Sequence, residues 1–529
     1  MISINKKGTK LIKKNIVGFF RYVTISVFGF NPILWIKEYL CVKKLIGNYN
    51  VPFQNKNAKE CYAIIIIPWL GIAVPWFSII CGLFIQARGK KVKFIVDDVI
   101  FGQKYFGSKI QLICITSVLN LLGENQDIIK LSGYISRIPL NSDKHHIIDE
   151  LAKLNAVWAL RGEMSDVGRN QYIMRATRQL SVSYGAISKI LQSGNFNSLL
   201  VPGGIWGSSG LWTKLAKTSG IRVSTFDSSG FGVLMLAVNG IASQLQDIPE
   251  AFSLLKKNAD SFEAHSYIVE AALNEMDKRR SGNDKFASQL LGASSKDIDR
   301  RFEGAVLLAL NSSWDSAALG LHGVFKNNKE WIIETTQFIL NHTSVPVIIR
   351  QHPVERLEIA HTSDDYRGLL TRHFGNNPRL FFIAADEEVN SYDLINQVVA
   401  VVVHTSTLGI EAVIHGKNVV TQSNSYYADL GFVRKASSLN QYHDYLLDAV
   451  SNPFGVSQTM RDDALYCYYL TQCCNWVFSP FNPEGFMDWS SYNLAALSMH
   501  EKVQMTIDAL VQNIPIAYLN HTKMIHHQS

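Results

Sequence analysis

Residues 62–85, YAIIIIPWLGIAVPWFSIICGLFI, run for 24 positions without a charge. By length alone such a run qualifies as a membrane-spanning helix. Pro68 and Pro75 break it, however, and it flows directly into QARGKKVKFIVDD at 86–98. With those breaks it reads as a strand at Ala63–Ile67, a Gly/Pro loop, a helix from about Trp76 to Ala87, a turn at Gly89 and a strand at Val92–Val96. That is a βαβ unit. Its strands are continuous apolar runs because a parallel sheet is covered on both faces.

A chain of 529 residues exceeds what one hydrophobic core supports, so at least two domains are expected. Hydrophobic residues make up 47% and charged residues 18%, which excludes a disordered chain. The excess of 51 Lys+Arg over 44 Asp+Glu gives +7, which suits an anionic ligand or an anionic surface. No nucleic-acid partner is expected. The cysteines (Cys41, Cys61, Cys81, Cys114, Cys467, Cys473 and Cys474) are odd in number and form no CxxC pair, so they read as reduced thiols of a cytoplasmic protein. No signal peptide is expected, since the first apolar stretch lacks the length and the cleavage site.

The start of the chain has a different texture. Within residues 1–48, KKGTKLIKKNIVGFFRYVTISVFGFNPILWIKEYLCVKKLIG interleaves Lys and Arg with Phe, Trp, Ile and Leu. It fits either an amphipathic helix pair packed on the body or an interfacial foot on the anionic inner-membrane surface. The second alternative would make the protein peripheral on that membrane.

Beyond it, strands and amphipathic helices alternate. AVWALRGE (156–163), NSLLVPGG (197–204) and IRVSTFDSSG (221–230) each read as a strand ending in a polar or Gly-rich turn, and 247–282 as a helical tract. A second alternation begins near 304: GAVLLALNSSWDSA, NKEWIIETTQFILNHT, VPVIIRQHPVE, PRLFFIAADEEV and QVVAVVVHTSTLGIEAVIHG. Such alternation implies parallel, doubly wound sheets. The expected domains are a basic extension at 1–55, an α/β domain at 56–300, a second at 301–450 and C-terminal helices at 451–529 that pack back across both. Two doubly wound domains would face a cleft, with ligands at the C-terminal ends of the strands.

The second domain offers three polar strand ends. In HTSTLGIEAVIHGKNVV (404–420), Thr405, Ser406 and Thr407 form a turn and Gly409 opens a helix that Gly416 stops. Hydroxyls and free backbone N–H groups there suit a phosphate, and Glu411 one turn on could accept from a ribose diol. Plain helix capping would use the same residues. In RQHPVER (350–356), Pro353 holds His352 extended, and a histidine flanked by Arg350 and Arg356 can donate to a phosphate. The third strand end, ALNSSWDSA (309–317), brings Asn311, Ser313 and Asp315.

In this order, NSSWDSA, RQHPVE, NSYDLI (390–395), HTSTLGIEAVIHGKNVV and SYYADLGF (425–432) resemble the capsular-polysaccharide-synthesis glycosyltransferases, which include bacterial Kdo transferases. The similarity covers about 305–435 well and the first half loosely, through GGIWGSSGLWTKLAKTSGI (203–221). It implies a GT-B fold and transfer from a nucleotide sugar, with no cofactor and no metal, to a glycan or lipid-linked glycan. His352 and the Ser406–Thr407 pair would contact the donor phosphate and Glu411 the ribose. The His-Pro pair with a Ser/Thr turn is also similar to CMP-sugar sialyltransferases, which favours a CMP-sugar such as CMP-Kdo. The chain lacks their acidic-acidic-glycine motif, and Asp97–Asp98 ends a strand of the first domain and is no metal-binding DxD.

Transfer needs a group that takes the acceptor hydroxyl proton, or a nucleophile. RGEMSD (161–166) offers Arg161, Glu163 and Asp166 after its expected strand, Asp227 ends another, and the Gly203–Gly204 turn lets a sugar approach the backbone. Glu163 is the first choice, then Asp227 and Asp166. Each is also an ordinary capping carboxylate. Two rivals share the architecture: a sugar-nucleotide 2-epimerase, and a non-catalytic scaffold.

Overall fold

The computed structural model describes residues 31–526 apart from 51–57, 70–71, 100–106, 125, 136–141, 165–167, 229–231, 259–261, 282, 284–299, 359 and 485–490. The uncharged run does form a βαβ unit. Strand β1 (Cys61–Ile66) is buried throughout, a helix follows at Val74–Ala87, and β2 (Lys91–Val96) lies parallel to β1 with Cys61 opposite Lys91. Among the described residues no helix is long and apolar enough to cross a membrane.

β1 and β2 belong to a sheet with β3 (Asp127–Lys130), β4 (Ser198–Pro202), β5 (Arg222–Ser228) and β6 (Val233–Ala237). A second sheet holds β7 (Val306–Ala309), β8 (Val347–Arg350), β9 (Leu380–Ile383), β10 (Ala400–Val403), β11 (Asn418–Thr421) and β12 (Arg434–Lys435). Late in the chain β13 (Val477–Phe478) returns to pair antiparallel with β6. The first sheet runs β13-β6-β5-β4-β1-β2-β3 and the second β12-β11-β10-β7-β8-β9. Strands β1–β5 pair in parallel in the doubly wound order 3-2-1-4-5, and β7–β12 in the order 3-2-1-4-5-6. Two Rossmann-like units are the components of the GT-B class, and the expected α/β fold holds.

The chain is divided differently from the expected boundaries. One unit is Met1–Ile148, Thr177–Asn239 and Val477–Asn513; the other is Asp149–Ala176, Gly240–Trp476 and Ile514–Ser529. Burial explains the shift of residues near 250–280 to the second unit. The helices Ile248–Asn258 and Phe262–Arg280 place Ile248, Phe252, Leu255, Ile268, Ala272 and Met276 in one apolar core with Leu307, Ile348 and Val401 of the second sheet. The tail serves both units: the Tyr62 hydroxyl donates to the Leu510 carbonyl at 3.2 Å, and Asn520 Nδ2 to the Cys474 carbonyl at 2.9 Å.

One expected strand is a helix. Residues 156–160 end the helix Ser142–Leu160. Its buried residues Leu151, Ala152, Ala156 and Val157 recur at helical rather than alternating spacing, in a stretch rich in the helix formers Ala and Leu.

On the other face of the second sheet, Trp331 and Tyr442 are fully buried. Trp331 Nε1 donates to the Tyr442 hydroxyl at 2.9 Å, which pairs with the Thr335 hydroxyl at 2.7 Å. Tyr442→Phe orphans the buried indole N–H, so it should cost about 1–3 kcal/mol. A thermal unfolding curve lowered by a few degrees is the expected result.

Candidate active site at the switch point of the second sheet

β7 and β10 are neighbours, yet the chain leaves them in opposite directions, to β8 and to β11. The loops beyond their C-terminal ends therefore part and leave a crevice, the place where such sheets take ligands. Asn311 bridges the two loops by accepting the Thr405 N–H on Oδ1 at 3.0 Å. Ser312 and Ser313 beside it are buried. Thr405 is only 8% exposed, and its hydroxyl finds no hydrogen-bond partner in the protein. An unmet buried hydroxyl costs about 1–3 kcal/mol, so a polar ligand atom at this turn would recover that cost.

The turn itself is tightly held. Ser406 Oγ accepts the Leu408 N–H at 3.3 Å, and the Ser406 carbonyl accepts the Tyr427 hydroxyl at 2.7 Å. Gly409 is the second residue of the helix Leu408–Ile414, and only a glycine fits closely there, since a Cβ would lie 2.9 Å from that hydroxyl and 3.0 Å from Val403. Thr407 is the N-cap residue but makes no side-chain capping bond. Glu411 is buried, and its Oε1 accepts the Tyr392 hydroxyl at 3.1 Å. Burial pushes its carboxyl above the usual range, while Arg279, Tyr392 and Tyr468 pull the other way. This carboxylate is tied into the protein.

At the end of β8, His352 is extended (φ −63°, ψ 126°), as Pro353 dictates. Its Nδ1 accepts the Val354 N–H at 3.1 Å. A nitrogen that accepts carries no proton, so the neutral ring bears its hydrogen on Nε2 and is a donor there. Burial lowers its pKa, against the pull of Asp315, and keeps the ring neutral. Asp315 is exposed and accepts the Ala317 N–H at 3.1 Å.

Arg350 is committed elsewhere. It is 3% exposed and donates to the carbonyls of Ala384 and, at 3.2 Å, Val389. Burial brings its pKa down to about 10. The guanidinium orders the loop after β9.

The carboxylate missed in RQHPVER is Glu355. It is 1% exposed, accepts Gln351 Nε2 at 2.6 Å, and leaves Oε1 without a hydrogen bond. Burial pushes its carboxyl up to about 8. In the quoted heptapeptide it looks like a surface residue between Val354 and Arg356, and only the fold reveals its burial.

Glu163 and Arg161 stand in the second unit rather than on an edge of the first sheet. Asp364 holds that segment, accepting the N–H groups of Glu163 at 3.0 Å and Met164 at 2.7 Å and the Ser313 hydroxyl at 2.5 Å. Thr362 donates to the Arg161 carbonyl at 3.0 Å, and the Arg161 guanidinium stacks on Trp314. Glu163 Oε2 accepts the Asn328 N–H at 2.6 Å, at the start of the helix Asn328–His342. Its Oε1 lies 3.7 Å from His322 Nε2. From there a buried relay continues: Gln422 Nε2 donates to Nδ1 of both His322 and His404, each at 3.1 Å, and His404 Nε2 donates to the Ala318 carbonyl at 3.0 Å. Burial takes the His404 pKa down to about 3.

The other described candidates belong to the first unit. Asp166 falls outside the described residues. Asp227, on β5 of the first unit, accepts the Ser228 N–H at 2.8 Å. Gly203 and Gly204 follow β4 at the first sheet's own switch point with φ of +68° and +96°. Near the same strand ends, Asp97 closes β2. It is 4% exposed, with its carboxyl raised to about 6 by burial against the lowering effect of Ser208 and Trp212.

Residues 253–467 match the family model described as "Capsule polysaccharide biosynthesis protein". Over that stretch the chain resembles capsule polysaccharide synthesis glycosyltransferases. The match covers the whole second sheet and less than half of the chain. None of the curated protein sequences is significantly similar. Among solved structures, the β-Kdo 2,4 transferase KpsC of Thermosulfurimonas dismutans is 12% identical, covering 51% of this chain and 79% of that one with a TM-score of 0.35. MurG of Acinetobacter baumannii is 9% identical over 82% and 98% of the two chains, TM-score 0.26. The UDP-GlcNAc 2-epimerase of Neisseria meningitidis is 12% identical over 77% and 95%, TM-score 0.23. Similarity at that level decides nothing about chemistry.

Glu355 yields a pH prediction. The folded state keeps its proton up to about 8, whereas the unfolded carboxyl releases it near 4.5. The native state therefore binds the extra proton within that window, and stability falls as the pH rises through it. Glu355→Gln should flatten the decline, so its melting temperature should gain on the parent steadily from pH 5 to pH 8.

Proposed function

We propose that the protein is a glycosyltransferase of capsular polysaccharide synthesis, with its nucleotide-sugar donor in the crevice between the β7 and β10 loops. The observation that carries this reading is a pair of groups set to meet an anion. His352 has Nδ1 occupied by a backbone N–H and so donates from Nε2, and Thr405 has a buried hydroxyl with no partner in the protein. The capsule polysaccharide family match over residues 253–467 supports the same chemistry.

In this reading the bond between the anomeric carbon and the donor phosphate breaks as negative charge gathers on the departing phosphate oxygen. His352 Nε2–H donates to that oxygen. A neutral donor held by a fixed hydrogen bond needs no reorganisation as the charge develops, which is where preorganised dipoles lower a barrier most. The Thr405 hydroxyl and the Thr405–Thr407 turn hold the same phosphate. A CMP-sugar, CMP-Kdo first, is the proposed donor, and a glycan or lipid-linked glycan hydroxyl the acceptor.

The test is thermal stabilisation of the full chain by CMP, CDP, UDP, GDP and dTDP, with Thr405→Val and His352→Ala beside the parent. At a hundred times its dissociation constant a ligand should add about 2.7 kcal/mol. CMP should give the largest shift. Thr405→Val keeps the side-chain shape and removes an unmet hydroxyl, so the unliganded protein should be no less stable while the nucleotide shift shrinks. His352→Ala should lower kcat by about 10²-fold or more with the identified donor. A shift with a diphosphate nucleotide alone would overturn the CMP-sugar assignment. No shift with any nucleotide would overturn the transferase reading.

A further inference from the structure

The helix Pro32–Gly47 carries apolar side chains on two opposed faces. One is spent inside the first unit: Trp35, Val42 and Ile46 are buried, Trp35 packs against Trp76 with ring centres 5.6 Å apart, and the Tyr39 hydroxyl pairs with Ser117 Oγ at 3.1 Å. The other face is turned away from the core. Ile33 is 65% exposed, Ile36 48% and Leu40 57%. Spacings of three and four residues put them on one stripe. Lys37, Lys43 and Lys44, all exposed, stand three or four residues from members of that stripe and so flank it. A stripe of isoleucine and leucine edged by lysines, on a helix already anchored from behind, is the pattern of a helix lying in a lipid–water interface. The lysine stems add to the apolar strip while their ammonium groups reach outward.

Charge along the chain points the same way. Residues 1–47 contain nine of the 51 Lys+Arg and one of the 44 Asp+Glu, a net +8; the other 482 residues carry 42 against 43, a net −1. The positive balance is thus concentrated in the stretch of sequence that ends with this helix. The single acid, Glu38, is only partly exposed, and burial pushes its carboxyl up to about 7. A second protein chain would need an acidic, apolar surface of matching shape, whereas an anionic bilayer meets both demands without specific geometry.

The geometry points to the outward face of the helix Pro32–Gly47 as a membrane-docking surface, which lies on anionic lipid through Ile33, Ile36 and Leu40 and is held there by Lys37, Lys43 and Lys44. Nothing in this assignment depends on the identity of the sugar donor.

The experiment is co-sedimentation of the full-length protein with phosphatidylglycerol-containing vesicles and with pure phosphatidylcholine vesicles. Three forms are compared: the parent, an Ile36→Ser/Leu40→Ser variant, and a Lys37→Gln/Lys43→Gln/Lys44→Gln variant. The parent should bind the anionic vesicles, more weakly in high salt. Each Lys near an anionic surface is worth about a factor of five, so the triple variant should lose on the order of a hundredfold. The serine variant should lose about tenfold or more. All the altered side chains are exposed, so the melting temperatures should not move.

Equal binding to both vesicle types, or none to either, overturns the proposal. Anionic binding that both variants retain places the lipid contact in residues 1–30 and overturns it too. If the parent is a dimer in solution and the serine variant a monomer, the face is covered by a second copy, and the membrane assignment is overturned.

Discussion

Everything proposed for the second unit depends on the parallel pairing of β7 with β10 and its lock by Asn311 on the Thr405 N–H. The pairing makes two loops that must diverge, and the lock fixes how far apart they start. From there the remaining strands only add walls. β8 brings His352, and β11 brings Gln422, whose amide orders His322 and His404 behind the β10 turn. A rigid turn flanked by neutral donors is a good host for an anion, because fixed dipoles solvate charge without rearranging. The relay behind it contributes the rigidity, since each buried polar atom along it has a specific partner.

What could be read from the sequence was local. Pro68 and Pro75 turned an apparent membrane span into a βαβ unit, and the register of β1 against β2 bears this out. The polar turns after β7, β8 and β10 stood out because hydroxyls, a His-Pro pair and a glycine are rare directly after a buried apolar run. What escaped was set by contacts distant in sequence. Glu163 is tied to Asp364, about two hundred residues on, so nothing near RGEMSD could show that it belongs to the second unit. Arg350 and Glu355 flank His352 in a heptapeptide that reads as a charged loop, yet both are almost fully buried. AVWALRGE (156–163) reads as a strand because a short apolar run has no period of its own, whereas its first five residues close a helix.

The two sheets treat carboxylates differently. At the second, Asp364 and Glu163 spend their oxygens on backbone N–H groups, and Glu355 holds its proton near neutrality. At the first, Asp97 closes β2 near a double glycine that bends the chain sharply after β4. With its carboxyl raised to about 6 by burial, Asp97 gives that strand end a chemistry distinct from the hydroxyl-lined crevice of the second sheet.

The interleaving of the two units has a consequence for the order of events as the chain is made. The first unit draws on three separate stretches, the last of them residues 477–513, and its β6 receives the short partner β13 only from that last stretch. From residue 237 until residue 478 is made, then, β6 presents an unpaired rim, a ready template for a wrong strand. No single cut in the chain releases either unit whole, and a ribosome must pass residue 478 before the first sheet can close its edge.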